Sequence, residues 1–319
     1  MPVEQVCLDF GEVCRDDTPV AGGKGANLGD MAQAGLPVPP GFVICAPAYR
    51  QVVECCGLER EIAAILSTLD RNDTKQLLEA EQRIRSLFVD LPIDEALQAE
   101  ILEKYRALGS GTRVAVRSSA TAEDLAGASF AGQQETILNV VGEGALLTAI
   151  RRCWSSLYTS QAIFYRRERG FQDAQVSMAV VVQKMVNSEK SGVTFTVDPV
   201  LRNHYEMVIE AVWGQGEGIV SGAITPDHYK VDRETYEVVY EYVARKEFMF
   251  VQDGAGGIVR VGVPPEKATV RVLTDDELRR LVDLGNRVEA HFGSPQDIEW
   301  GIEGGEIYLL QSRPITVLK

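Results

Sequence analysis

The sequence predicts an α+β protein of two unlike halves. Three observations lead there. From residue 58 to 108 apolar residues recur at three-and-four spacing, the period of amphipathic helices. The stretch "VSMAVVVQKMV" (176–186) carries a continuous apolar run, the mark of a strand buried on both faces. Beyond about residue 190, short strands alternate with Gly/Pro/Asp turns. The expected division is an N-terminal α+β half over 1–184 and a more β-rich half over 185–319, with a ligand in the cleft between them.

Along the chain, "VAGGKGANLGDM" (20–31) reads as a glycine turn opening a helix over 26–34, and "GLPVPPGF" as a Pro-punctuated loop leading to a strand over 42–46. The helices "LEREIAAILSTL", "TKQLLEAEQRIRSLFVDL" and "DEALQAEILEKYRAL" follow, with Asp73 or Thr74 and Asp94 as caps of the second and third. "RVAVRSS" alternates as a strand and gives way to the small-residue stretch "AEDLAGASFAGQQET". One long helix is expected over 143–169, then the buried strand, then the strands "SGVTFTVDP", "YEMVIEAVWGQGEG", "DHYKVD" and "TYEVVYEYVARKEF". A helix over Asp275–Phe292 precedes a terminal pair of strands.

Bulk properties exclude several classes. A formal net charge of -14 over 319 residues repels polyanions, which argues against a nucleic-acid or anionic-membrane surface. A small anionic ligand stays open, since a local cluster of Lys and Arg outweighs the global field. The six cysteines form no C-x-x-C pair and the three histidines are far apart, so a structural zinc site is not expected. Reduced, mostly buried thiols in a cytoplasmic protein are the simpler reading. "MPVEQVCLDF" has neither the basic n-region nor the apolar h-region of a signal peptide, and apolar runs of about five residues fall far short of a membrane span.

Four segments are candidates for chemistry. Lys24 lies among glycines, yet the segment is no Walker loop: Thr18 stands where the first glycine belongs, and Gly25 where the magnesium-binding Ser/Thr belongs. A solvated lysine on an ordinary turn remains open. Arg117 ends the strand "RVAVR", whose alternation puts Arg113, Ala115 and Arg117 on one face, and is followed by two serines and Thr121. That turn suits an anion, and an edge strand with solvated arginines is the alternative. Residues 126–132 are rich in small side chains and would let backbone N–H groups approach phosphate, or would simply turn. "WGQGEG" is not a dinucleotide fingerprint.

The terminal "PQDIEWGIEGGEIYLLQSRP" reads as two strands around Gly304-Gly305. A two-residue loop sets Glu299 opposite Leu310 and Ile298 opposite Gln311, mixing polar and apolar on both faces. A three-residue loop pairs Asp297 with Arg313, Glu299 with Gln311, Trp300 with Leu310 and Ile302 with Tyr308, which separates the faces and is the expected register. It gathers two carboxylates, an amide oxygen and a guanidinium. Oxygen ligands of this kind suit Mg²⁺, and an ordinary solvated Asp–Arg pair is the alternative.

Taken in order, "GGKGANLG" (22–29), "VPPGF" (38–42), "AVRSSATAEDLAGASFAGQQET" (115–136), "VVVQKMV" (180–186), "SGVTFTVDP" (191–199), "WGQGEGIVSGAITPDHY" (213–229) and "DIEW…QSRPIT" resemble the nucleotide-binding domain of the dikinases: phosphoenolpyruvate synthase, pyruvate phosphate dikinase and rifampicin phosphotransferase. The resemblance spans nearly the whole chain. It implies an ATP-grasp-like fold whose two lobes close on ATP. It also implies that Lys24 and Arg117 contact phosphates, that the loop around Gly132 and Thr136 covers them, and that the strand from Gln183 to Met185 meets the adenine edge. Glu299 and Gln311 match the magnesium-associated positions, with Asp297 and Arg313 beside them. Lys24, Arg117, Asp297 and Arg313 are the expected catalytic set, with ATP and Mg²⁺ as cofactors.

The implied mechanism is a relay in which phosphate passes from ATP to a histidine on a swivelling domain, leaving AMP. None of His204, His228 and His291 lies in a Thr-x-Gly-Gly-x-x-x-His-type carrier segment. The carrier is therefore expected on another domain or subunit, in cis or in trans. Either a domain of a longer enzyme or a stand-alone subunit, as in phenylphosphate synthase, accommodates this. The final small-molecule acceptor would bind outside these residues, and "CWSSLYTSQAIFYR" (153–166) looks closer to the synthase and rifampicin branches. A catalytically silent nucleotide-binding regulatory module is the alternative of another class, and an ATP-grasp ligase, forming ADP, a third.

Overall fold

A computed structural model describes residues 6–70, 73–121, 135–168, 176–254 and 257–315. The chain divides into two units, one of residues 1–30 and 40–185 and the other of residues 31–39 and 186–319. The segment 31–39 thus belongs with the C-terminal residues, and the later division falls after Met185.

In the first unit β1 (Cys7–Asp9), α1 (Thr18–Gln33, its last turn counted in the second unit), β2 (Gly41–Ile44) and the helices α2 (Ala46–Cys55), α3 (Leu58–Ser67), α4 (Thr74–Phe88) and α5 (Glu95–Ala107) come first. They are followed by β3 (Val114–Ala120), β4 (Thr136–Val140), α6 (Glu143–Ser155), α7 (Ser160–Glu168) and β5 (Met178–Lys184). The strands form one antiparallel sheet in the order β1-β2-β5-β3-β4. Alternation gives it two faces. Phe42, Ile44, Val114, Val116, Val180 and Val182 point into a hydrophobic core shared with Tyr49, Phe88, Trp154 and Tyr158 of the helices. The other face carries Gly41, Val43, Ala115, Arg117, Ser119, Val181 and Gln183.

Two expected caps hold, and three other local expectations are corrected. Asp73 caps α4 by accepting from the Lys75 and Gln76 amides, and Asp94 caps α5 through Ala96. The single helix expected over 143–169 is instead α6, a 3₁₀ turn (Ser156–Tyr158) and α7. Ser155 and Ser156 hydroxyls donate back to the carbonyls of Arg152 and Cys153, offering the backbone a way out of the helix. The strand expected over 42–46 ends at Ile44, because extended Cys45 and Pro47 start α2. Helix α1 begins at Thr18, well before the expected 26, and breaks at Gly22, whose φ of 68° and ψ of 168° are non-helical.

In the second unit β6 (Lys190–Phe195), β7 (Glu206–Trp213), the short α8 (Glu217–Val220), β8 (Asp227–Asp232) and β9 (Val238–Tyr242) precede the ribbon β10 (Phe248–Gln252) and β11 (Ile258–Gly262). Helix α9 (Asp275–Phe292) and the hairpin β12 (Gln296–Glu303) and β13 (Glu306–Pro314) complete it. Six strands form an antiparallel sheet in the order β13-β12-β6-β7-β8-β9. Ile298, Trp300, Thr194, Ile209, Met207, Tyr229 and Val231 share the buried face, where Gly285 of α9 comes against Met207. The buried Asp227 carboxylate anchors this unit. It pairs with Lys246, which is equally buried, and accepts from Tyr229 Oη and from the Ala244 and Val272 amides. Among the described residues no helix is long and apolar enough to cross a membrane.

Candidate functional site

Lys24, Arg117, Thr136 and Gln183 come from four separated elements, and the first unit's sheet gathers them on its face away from the helical core. Arg117 pairs across β3 and β4 with Thr136, and across β3 and β5 with Val181. It therefore lies inside the sheet and is 8% exposed, not on the solvated edge that its sequence left open. Lys24 reaches the same strand from the break in α1, where its Nζ donates to the Ser118 carbonyl at 3.1 Å. Gly22 permits this approach: a Cβ there would stand 2.3 Å from the Ser119 carbonyl oxygen.

Gln183 sits between two small neighbours, Gly41 on β2 and Ala115 on β3. It is 2% exposed, and its Nε2 has no hydrogen-bond partner among the described residues. A buried amide N–H₂ left so is costly unless something else accepts from it. Met185 follows the strand, and its own amide is already committed to the Arg113 carbonyl at 2.9 Å. Gly132 lies outside the described residues. The described residues resume at Glu135, whose amide donates to Ser118 Oγ at 2.9 Å, while its carboxylate takes Arg85 at 2.8 Å and also Arg152.

The second unit builds its set from one hairpin. β12 and β13 pair Asp297 with Arg313 and Glu299 with Gln311, as the three-residue-loop register predicts. Nearer the tip the pairs are Trp300 with Leu309 and Ile302 with Ile307, which is the two-residue-loop register. A β-bulge after Glu299 joins the two, with Leu310 as the extra residue. The turn itself is Gly304-Gly305 with φ of 58° and 79°, the left-handed pair that a tight two-residue hairpin turn demands. The two registers are therefore not exclusive alternatives, because one bulge satisfies both, and strict alternation gives no sign of it.

Arg313 Nε and Nη2 both donate to Asp297 Oδ2, at 2.8 and 2.7 Å. Burial pushes the Asp297 carboxyl up from its usual range, an effect that Arg313 only partly offsets and that Glu299 and Glu210 reinforce. Glu210 reaches this neighbourhood because the register carries the face across the sheet, from Gln311 and Glu299 through Val193 to Glu210, His228 and Tyr242. His228 Nδ1 lies 3.2 Å from Glu210 Oε1. An open cavity of about 550 Å³ is lined there by Glu210, His228, Lys230, Tyr240 and Tyr242. Among the described residues no three His, Cys, Asp or Glu stand close enough to form a metal cage. The carboxylates and the Gln311 amide are hard oxygen donors, a set that fits Mg²⁺ completing its shell with water and phosphate oxygens.

In "WGQGEG" a Cβ at Gly214 would stand 2.2 Å from the Phe250 carbonyl oxygen, and one at Gly218 would stand 2.4 Å from Ile224 Cδ1, so close packing within this unit requires both glycines. The Gln215 side-chain amide donates to the Val186 carbonyl, and Ser191 Oγ donates to the Gly214 carbonyl at 2.7 Å.

A family model described as the AMP/ATP-binding domain of pyruvate phosphate dikinase matches residues 18–319. A probable phosphoenolpyruvate synthase of Methanocaldococcus jannaschii is 50% identical over 313 residues, covering 97% of this chain and 26% of the relative. Phosphoenolpyruvate synthase of Pyrococcus furiosus is 42% identical over 355 residues, covering 97% and 44%. Rifampicin phosphotransferase of Streptomyces sviceus is 42% identical over 317 residues, covering 99% and 36%. The chain thus spans less than half the length of each of these relatives. A D-alanine–D-alanine ligase structure from Helicobacter pylori covers 70% of this chain and 48% of its own at 10% identity, with a TM-score of 0.31, too slight a likeness to bear on the fold.

Proposed function

The chain belongs to the pyruvate phosphate dikinase AMP/ATP-binding domain family, and from that premise we propose that it is the ATP-binding, phosphoryl-donating part of a phosphoenolpyruvate synthase-like dikinase. In this reading phosphate leaves ATP for a histidine on a separate domain or subunit, and AMP results.

The observation that supports it most is that the first unit's candidate residues, drawn from α1, β3, β4 and β5, share one sheet face. Lys24 and Arg117 neutralise phosphate oxygens, and Thr136, opposite Arg117, adds a hydroxyl. The buried Gln183 amide is the donor left for an adenine ring nitrogen, whereas the Met185 N–H is used within the unit. In the second unit Glu299 and Gln311 would hold Mg²⁺, which would supply charge neutralisation at the phosphates, while Arg313 orients the Asp297 carboxylate on the same hairpin. Phosphoryl transfer asks a protein mainly for positioning and charge neutralisation, so this chain needs no nucleophile of its own.

The test mixes the chain with ATP, Mg²⁺ and the histidine domain of a dikinase and follows AMP and phosphohistidine. Both should form, and both should fail with Lys24→Ala. ADP in place of AMP would point to a ligase. Nucleotide binding with no AMP against any such partner, unchanged by Lys24→Ala, would point to a silent regulatory module. The final acceptor, pyruvate or a rifamycin among others, is chosen at a site outside these residues.

A further inference from the structure

The break in α1 has an unusual construction. In an unbroken helix the Gly25 amide would donate to the carbonyl of Ala21, four residues earlier. Here the Ser119 hydroxyl stands between them. It accepts from the Gly25 N–H at 3.1 Å and donates to the Ala21 carbonyl at 2.9 Å. A side chain inserted into the ladder is one of the few causes of a sharp helix kink. This insertion falls at the turn that carries Lys24, one residue from Gly25.

Ser119 is well suited to hold that turn in place. It is fully buried, and its strand is gripped by β5, where Ser119 pairs with Ala179 and Ser118 with Val180. The carbonyl of its neighbour, Ser118, accepts from Lys24 Nζ. Two consecutive residues of one rigid strand therefore fix both the backbone around Lys24 and its ammonium group. With alanine at 119, either the Gly25 N–H and the Ala21 carbonyl lose their partner, or the ladder closes directly and the turn shifts. Both outcomes move Nζ.

We propose that Ser119 is a positioning residue for Lys24, its hydroxyl holding α1 open at the turn that aims the lysine at phosphate. This rests on the reading of Lys24 as a phosphate contact. The test is calorimetric titration of the full chain with ATP and, separately, with adenosine, in the wild type, Ser119→Ala, Lys24→Ala and the double variant. Thermal melts confirm that each variant is folded.

Ser119→Ala should weaken ATP binding by about tenfold, the cost of one misplaced charge-assisted contact, and leave adenosine binding within about twofold. In the Lys24→Ala background the serine substitution should add nothing for ATP, since the two residues act as one. Equal losses for ATP and adenosine, or additive losses in the double variant, would mean that Ser119 merely stabilises the unit and would overturn the proposal. Unchanged ATP binding in Ser119→Ala, with Lys24→Ala impaired, overturns it as well. Unchanged ATP binding in Lys24→Ala would instead remove the premise about Lys24 and the proposal with it.

Discussion

The two units build their candidate residues in opposite ways. The first collects Lys24, Arg117, Thr136 and Gln183 from four elements spread over 160 residues, and the antiparallel order of its sheet, with the break in α1, brings them to one face. The second places Asp297, Glu299, Gln311 and Arg313 on a single hairpin, where cross-strand pairing and one bulge settle the arrangement. A site made by a hairpin depends on local register, whereas a site made by a sheet depends on the packing of the whole unit. The difference teaches where each is vulnerable.

The sharpest way to separate the two units is Asp227→Ala. It leaves the Lys246 ammonium buried without its carboxylate, which should cost about 3–5 kcal/mol. In a denaturant titration with probes in each unit, the second unit should unfold earlier and the first should not move. A joint shift of both transitions would show that the units unfold as one. Gly22→Ala follows, at about 2–4 kcal/mol, because its Cβ would meet the Ser119 backbone as well as adopt a positive φ. Gly57→Ala, with the same φ and open space, should cost only about 1 kcal/mol in the same melts.

Glu277 makes the comparison pH-dependent. Burial alone would raise its carboxyl, but the hydrogen bonds from Lys190 and the Thr274 amide outweigh burial and hold it below the usual carboxylate range. Its contribution is thus complete above that range and is lost as pH falls through the depressed value. Lys190→Met should cost about 1–3 kcal/mol at neutral pH and much less below the depressed value, narrowing the gap between variant and wild type in acid melts. A gap that does not narrow would contradict the assignment.

Gln183→Leu should be close to neutral for stability, within about 1 kcal/mol, because it removes a buried amide whose Nε2 has no partner among the described residues. It should nevertheless weaken binding of adenine nucleotides in titration. A large loss of stability would show that the amide serves the fold. The smallest effect is expected from deleting Leu310. Without the extra residue one regular register keeps Trp300 with Leu309 and Asp297 with Arg313, so melting should change by less than about 1 kcal/mol. Cross-strand NMR contacts between Asp297 and Arg313 would report whether the pairing survives.

The same contrast explains what could be read from the sequence. The helices of the first unit announce themselves by period and caps, as Asp73 and Asp94 do, because helical contacts are local. The base of the terminal hairpin was legible for the same reason, through the alternation of Asp297, Glu299, Gln311 and Arg313. Its tip was not, since two consistent patterns met in one strand and alternation alone does not display a bulge. Arg117 looked like a strand end because β4, which covers it, lies beyond a long small-residue stretch. Gln183 carried no local sign at all: a polar residue closing an apolar run becomes meaningful only once Gly41 and Ala115 flank it. For that residue the expectation rests on the family resemblance alone.

The assignment of residues 31–39 to the second unit has a consequence for how the chain is made. Pro37 offers its carbonyl to the Leu309 amide at 2.8 Å, covering part of β13 at the sheet's border, and Gly35 accepts from Arg287. During synthesis this segment emerges long before these partners, and residues 40–286 must be translated before Arg287 appears. At a ribosomal pace of about 5–20 residues per second that delay is on the order of tens of seconds. The earliest part of the second unit thus waits on the completion of the last, and a fragment starting at residue 186 would be born with that border strand uncovered.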